Sequence, residues 1–326
     1  MRTIVRSALA LGVISGSLVA PARSAAEPLP VLILSAFPTE QAVLLEAAKP
    51  VTEVGVFNGR RFFSGTIAGK SVVLGLTGIG MVNADTTTRA VLDIIPVGAI
   101  IFSGVAGASH NIGDVMIPDH WTDGTGTYPV DSGMYSIAAG LVCRVTLDPC
   151  LPVEDVTCTG QRPPLRTPIC IANGAPPQIH VGGLGASSDP FGGRAVPCLS
   201  SAGNLLGCEA CGAPLNTSPG VAEFISGAAP FADPNFYLGL FQSFAPGPGN
   251  DQIVVVDEET AAVARIADDR TIPFIAFRAL SDSSAADRGG DPLMLPGFPV
   301  TFFFYAQLAA DNAAAVVLEF LARWNP

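Results

Sequence analysis

Beyond its first 26 residues the sequence has no apolar run approaching the roughly twenty residues a membrane-spanning helix needs, so the rest of the chain is expected to be soluble. Charge is scarce as well. Asp, Glu, Lys and Arg make up 14% of the 326 residues, and no long run of one sign occurs. Acidic residues outnumber basic ones, 28 against 17, for a formal net charge of −11. A diffusely acidic surface repels phosphate backbones, which excludes nucleic acid as the expected partner. Neither GxGxxG nor a P-loop is present, so nucleotide-phosphate binding is not indicated. No internal repeat of fixed period appears, and no cysteine lies outside Cys143–Cys211.

What is present begins with Met1-Arg2 and Arg6, an apolar run from Ala8 to Ala20, and small residues through Ala26. That order reads as a signal peptide over residues 1–26, with an uncleaved anchor as the alternative. The expected location is secreted or periplasmic, with no membrane contact after cleavage. The seven cysteines (Cys143, Cys150, Cys158, Cys170, Cys198, Cys208 and Cys211) then read as a disulfide-stapled region with one thiol left over. Cys208-Glu-Ala-Cys211 has CxxC spacing, for which a redox or metal pair is the alternative. No second CxxC accompanies it, and His110 and His120 lack ligands at metal spacing, so neither a metal nor a cofactor is expected.

The remainder, 27–326, reads as one α/β domain interrupted by a loop-rich insertion over about 129–250. Buried-strand runs at Val31–Leu34, Ser71–Thr77, Ala99–Phe102, Ile253–Val256 and Pro273–Leu280 alternate with helical stretches at Glu40–Ala48, Val82–Ile95 and Asp257–Ala267. A further helix is expected over Thr301–Trp324. Continuous apolar strands alternating with helices predict a sheet covered on both faces. Between the two flanks, Pro, Gly, Ser and Cys dominate and periodicity is weak, as in an insertion or lid.

Ligands of open α/β sheets bind beyond the carboxyl ends of the strands. Glu40, Glu258-Glu259 and Asp282 each follow a strand and so occupy that kind of position. Taken singly, the glutamates also suit the first turn of a helix, where they complement the macrodipole, and Asp282 suits a cap or turn. Thr77-Gly78-Ile79-Gly80 and Ser103-Gly-Val-Ala-Gly-Ala108 also follow strands, where small residues let backbone approach a ligand.

The ordered set of Val31–Leu45, Leu76–Ala84, Ser103–Gly107, Ile112–Pro118, Val256–Ala264 and Pro273–Asp282 resembles the nucleoside phosphorylase/nucleosidase superfamily. The likeness is greatest to methylthioadenosine/S-adenosylhomocysteine nucleosidases and to secreted plant storage-protein relatives. It implies a three-layer fold with a central mixed β-sheet flanked by helices, and a homodimer or homotrimer. It also implies a small-molecule nucleoside substrate. On this resemblance Asp282 is the acid that protonates the purine N7, a step that helps because an unprotonated purine leaves poorly as an anion. Glu259 accepts the ribose hydroxyls, and Glu40 orients the attacking water. Val105, Ala106 and Gly107 line the substrate, and Phe236, Tyr237 or Phe241 either supplies an aromatic for the base or packs in the core.

The sequence departs from the family pattern at several points. Phe102 and Val105 stand where phosphorylases carry an arginine and a serine, and side chains of this kind bind no anion. Val105 also replaces a serine of bacterial nucleosidases, and Glu258 stands where those enzymes have a methionine. Arg60, Arg61 and Arg89 are either substitutes for the missing phosphate arginine or ordinary surface residues. The expected function is exported purine nucleoside hydrolysis. Phosphorolysis is the enzymatic alternative, and a catalytically weak binding or storage protein is the non-enzymatic one.

Overall fold

The computed structural model describes residues 28–108, 110–151, 168–171, 176–198, 206–211, 213, 253–283, 294–295 and 298–325. Its first strand, β1 (Val31–Ser35), is buried at every position, as a strand covered on both faces must be. α1 (Pro38–Ala47) follows, with Pro38 at its first position where the missing N–H costs nothing. β2 (Thr52–Phe57), β3 (Arg60–Ile67) and β4 (Lys70–Leu76) form an antiparallel meander. Its first tight turn is Asn58-Gly59, where both residues have positive φ (48° and 74°), the conformation a two-residue hairpin loop favours.

α2 (Met81–Leu92) leads to the long strand β5 (Ala99–Ala108), and the short strands β6 (Val115–Ile117), β7 (His120–Thr122) and β8 (Thr127–Pro129) come next. α3 (Ser132–Ala139) starts at Asp131, whose side chain accepts from the Met134 N–H at 2.8 Å. A two-strand ladder, β9 (Cys150–Leu151) with β10 (Ile169–Cys170), sits beside the main sheet. β11 (Ile179–Val181) pairs with β6, and β12 (Leu184–Ser187) pairs with β7 and β13 (Ile253–Asp257). Within the stretch 129–250, therefore, residues 179–187 contribute strands to the central sheet. α4 (Thr260–Asp269), β14 (Phe274–Ser283) and α5 (Val300–Arg323) complete the order.

The central sheet is mixed. β4, β1, β5 and β14 run parallel, while β3 and β13 are antiparallel to their neighbours β4 and β5. Helices α1 and α5 pack together against it, and α2 pairs with α4. One continuous core joins β1, β5 and β14 to the Ala- and Val-rich inner face of α5, where Ala309, Ala313, Val317 and Leu321 are fully buried. No helix among the described residues is long and apolar enough to cross a membrane.

Among the described residues two disulfides can be traced, Cys150–Cys170 and Cys198–Cys208, Cys211 is also disulfide-bonded, and Cys143 is a free, exposed thiol. Because Cys208 bonds to Cys198, it is not half of a CxxC pair with Cys211.

Candidate active site

β1 and β4 end level with each other at Ser35 and Leu76, β5 and β14 run on past them, and carboxylates from α1, β13 and the start of α4 converge there on one guanidinium. Arg278, on β14, is completely buried and lies flat over the Phe102 ring, 4.3 Å from its centroid. Its Nε donates to Asp257 Oδ2 at 2.6 Å, its Nη2 to Glu259 Oε2 at 3.0 Å, and its Nη1 reaches Glu40 Oε1 at 3.5 Å. A buried cation is tolerated only when paired and hydrogen-bonded, and Arg278 is paired three times.

Each carboxylate is held from a second direction. Glu40 Oε2 accepts the N–H of Ala36 at 2.5 Å and of Phe37 at 3.4 Å, and its Oε1 accepts the Val105 N–H at 2.7 Å. Glu259 Oε1 accepts the Gly80 N–H at 2.8 Å, tying the β4 turn to the start of α4. Asp257 takes the N–H groups of Glu259 and Thr260 at 3.2 Å, and also accepts from the hydroxyls of Thr260 and Ser187. It thus caps α4 and orients Arg278 at once.

The burial that assembles this cluster also makes its carboxyl groups weaker acids. Burial pushes Glu40 up to about 7, against the opposing pull of Arg278 and three backbone N–H groups. Burial likewise pushes Glu259 up to about 8, with Asp257 and Glu40 adding to the effect and Arg278 opposing it. Glu258 is driven well above the ordinary carboxylate range by burial, then by its carboxylate neighbours Glu259, Asp257, Asp282 and Asp189. The cluster therefore carries protons near neutrality, as sites of acid–base chemistry do.

Asp282 stands at the end of β14, opposite Gly107 of β5 after a bulge between Leu280 and Asp282. It is half-buried, and Ser281 Oγ donates to its Oδ1 at 2.9 Å. Its Oδ2 lies against Gly107, where even an alanine Cβ would come within 2.8 Å. Val105, Ala106 and Gly107 run alongside: the Val105 N–H holds Glu40, and the Ala106 carbonyl faces the Ser281 hydroxyl at 3.5 Å. Glu40, Glu258, Glu259, Val105, Ala106, Gly107 and Asp282 are thus gathered at one sheet edge. Phe236, Tyr237 and Phe241 lie outside the described residues.

Residues 187–198 pass along this edge. Ser187 binds Asp257, Phe191 packs over Gly80, and the Val196 carbonyl accepts from Asn83 Nδ2 at 2.6 Å. Cys198 then ties the segment to Cys208, whose carbonyl accepts the Arg61 N–H on β3 at 3.1 Å. Away from the edge, Asp114 accepts from the Gln178 N–H and pairs with His180 Nε2 at 2.9 Å, a contact that joins β6 to β11. His120 pairs with Asp119. No group of three or more metal-ligating residues occurs among the described residues.

Sequence reasoning missed Arg278, Asp257 and Ser187. Arg278 could have been found as a lone charge inside the apolar strand Phe274–Leu280, a place where a charge needs partners.

A model of the phosphorylase superfamily matches residues 30–182. An uncharacterised protein of Mycobacterium tuberculosis is 39% identical over 188 residues, covering 54% of this chain and 74% of that protein. The 5′-methylthioadenosine/S-adenosylhomocysteine nucleosidase of Listeria monocytogenes is 41% identical over 83 residues, 24% of this chain and 36% of that enzyme. Among solved structures, the nucleosidase of the same description from Neisseria meningitidis, in complex with methylthio-immucillin-A, superposes with a TM-score of 0.55 at 21% identity. That alignment covers 90% of this chain and 99% of the other.

Proposed function

The chain belongs to the phosphorylase superfamily, and from that premise we propose that it is a purine nucleosidase, cleaving the N-glycosidic bond with water. The Asp282 carboxyl donates its proton to N7 of the base, so the base departs neutral. Glu259 accepts hydrogen bonds from the ribose hydroxyls and, when ionised, stabilises the positive charge that develops on the sugar. Glu40, held against Arg278, orients the water that attacks C1′ and accepts its proton. The C1′–N bond breaks and the new C1′–O bond comes from water; Glu40 then releases the water's proton to solvent, and Asp282 takes one up from solvent, so the two exchanges cancel. Glu258 borders the same space and suits a site whose substrate differs from that of its methionine-bearing relatives.

The observation that carries hydrolysis over phosphorolysis is the occupancy of Arg278. This buried guanidinium already faces Glu40, Asp257 and Glu259, and Phe102 lies beneath it. Among the described residues, a phosphate dianion brought to the water position would meet carboxylates and a guanidinium that they already occupy. We also infer export through the signal peptide at 1–26, a reading supported by the two disulfides, which persist in oxidising compartments.

The test is to incubate the purified protein with adenosine, inosine and 5′-methylthioadenosine, with and without phosphate. Free base and free ribose at equal rates in both buffers are expected. Ribose 1-phosphate formed only with phosphate would replace hydrolysis by phosphorolysis, and no base release from any of them would overturn the enzymatic reading.

A further inference from the structure

The carboxyl groups gathered at the sheet edge all accept a hydrogen bond from the protein, with one exception. Glu40, Asp257 and Glu259 are held by backbone N–H groups and by Arg278. Asp282 accepts from Ser281 Oγ at 2.9 Å, and Asp189 from the N–H groups of Phe191 and Gly193 at 3.0 and 2.6 Å. Glu258 is the exception. It is 9% exposed, yet among the described residues its carboxyl makes no hydrogen bond and no ion pair.

Its charged neighbours do not compensate for this. Arg278 gives its N–H groups to Asp257, Glu259 and Glu40, and none to Glu258. The groups whose charge acts on Glu258 most strongly are Glu259 at the start of α4, Asp257 on β13, Asp282 on β14 and Asp189 among residues 187–198. All of them are acidic. Ionising Glu258 would add a further negative charge beside them, with no donor to solvate it. Burial first, and like charge second, therefore keep the proton on this carboxyl well above the ordinary carboxylate range.

A protonated carboxyl without a protein acceptor is a proton in storage, and Asp282 is the group that spends one. Asp282 is half-buried at the end of β14, and each turnover strips it of its proton. Carboxyls that feel one another's charge titrate as a pair, and the pair keeps its last proton to a higher pH than an isolated carboxyl would. The remaining exposure of Glu258 leaves it a path to solvent.

Building on the nucleosidase reading, we propose that Glu258 is the proton store of this site, holding a proton in the resting protein and passing it to Asp282 when Asp282 protonates the base. The Glu258 O–H bond breaks and the Asp282 O–H bond forms, directly or through one water. Asp282 then gives its proton to N7, and the Glu258 carboxylate recovers one from solvent. This is the uptake that balances the proton Glu40 releases. Glu258 does not touch the reacting atoms; it acts through Asp282.

The test measures kcat/KM against pH for base release, on the best-cleaved of adenosine, inosine and 5′-methylthioadenosine, with wild type, Glu258→Gln, Glu258→Met and Glu258→Asp. Glu258→Gln and Glu258→Met should move the alkaline limb to lower pH by about one unit or more, tenfold in rate at a fixed pH on that limb. Glu258→Asp should keep part of the wild-type limb. A merely structural role would lower the rate at every pH and leave the limb in place. Glu258→Met is the variant safest for folding, because an apolar residue replaces a buried acid that has no partner. Infrared difference spectra, wild type minus variant, read the stored proton without turnover: near neutral pH a protonated-carboxyl band should be lost in both Glu258→Gln and Glu258→Met. Base release with an unmoved alkaline limb, or no such band lost, overturns the proton store and leaves the nucleosidase reading standing. No base release by wild type from any of the nucleosides overturns the nucleosidase reading and the proton store with it.

Discussion

Gly104 faces Arg278 across the β5–β14 ladder, and adding one methyl group there tests whether the buried arginine network controls both folding and chemistry. An alanine Cβ at 104 would lie 2.2 Å from Arg278 Nη1 and 2.3 Å from Glu40 Oε1. Ordinary contact is about 3.5 Å, so each group must retreat by roughly 1 Å. Neither can retreat freely, since Arg278 is fully buried and Glu40 is pinned by three backbone N–H groups. Overpacking of a filled core costs about 1–3 kcal/mol. Loosening a buried ion pair adds a fraction of the roughly 3–5 kcal/mol that full removal of one partner costs. Glycine at 104 is not in the left-handed region, so alanine also recovers about 0.4–1 kcal/mol by restricting the unfolded chain. The clash wins. Gly104→Ala should lose about 3 kcal/mol in urea unfolding and about a hundredfold in base release, since a 1 Å displacement in a reacting site costs on that order. A variant at least as stable as wild type and within twofold of its rate would refute this reading of the network.

Asp282→Asn should lower base release by a hundredfold or more while leaving the urea midpoint unchanged; loss of stability in parallel would mean that Asp282 serves the fold. Glu40 and Glu259 are raised above their ordinary value of 4.5, so between that value and about 7 and 8 the folded chain holds more protons than the unfolded one. Their contribution to stability is complete below about pH 4.5 and is lost as pH rises through those values, about 3 kcal/mol for Glu40. Glu40→Gln should flatten the fall in unfolding free energy between pH 5 and pH 8.5, and a slope identical to wild type would contradict the assignment. Reduction of Cys198–Cys208, which closes a short loop with a sequence separation of 10, should cost about 3 kcal/mol by loop-closure entropy. It should also weaken binding at the edge that residues 187–198 follow, with far-UV circular dichroism unchanged. Reduced protein that binds nucleosides as well as oxidised protein would show that the strap does not shape the site.

The parallel core was legible because its strands are apolar on both faces, and the runs at 31–34, 99–102 and 273–280 became β1, β5 and β14 with extended ends. The β2–β3 meander was not recognised. β2 is an edge strand with exposed residues at most positions, so it lacks the apolar run that marked the others. β12 was hidden for a different reason: Leu-Gly-Ala-Ser is a strand only because β7 and β13 flank it. Within the site, Glu40, Glu259 and Asp282 could be placed at strand ends from order alone. Arg278 and Asp257 could not be linked to them, because their meaning lies in contacts between residues 21 positions apart and with Glu40, 238 positions away. Arg60 read as surface beside Arg61, and only the turn at Gly78 buries one and leaves the other on the exposed side of the hairpin.

The hub at Arg278 bears on what the persistence of its partners signifies as such chains diverge. In a lineage that ceased to cleave nucleosides, Glu40, Asp257 and Glu259 would still be retained, because replacing any one leaves the buried guanidinium undercompensated. On the proposed mechanism Glu40 and Glu259 are held by both chemistry and folding, and Asp257 by folding. Asp282 is not among the ion partners of Arg278, so a neutral residue there does not unbalance that guanidinium. On the proposed mechanism, loss of Asp282 would therefore be the change in this site that leaves the Arg278 network intact while removing the acid.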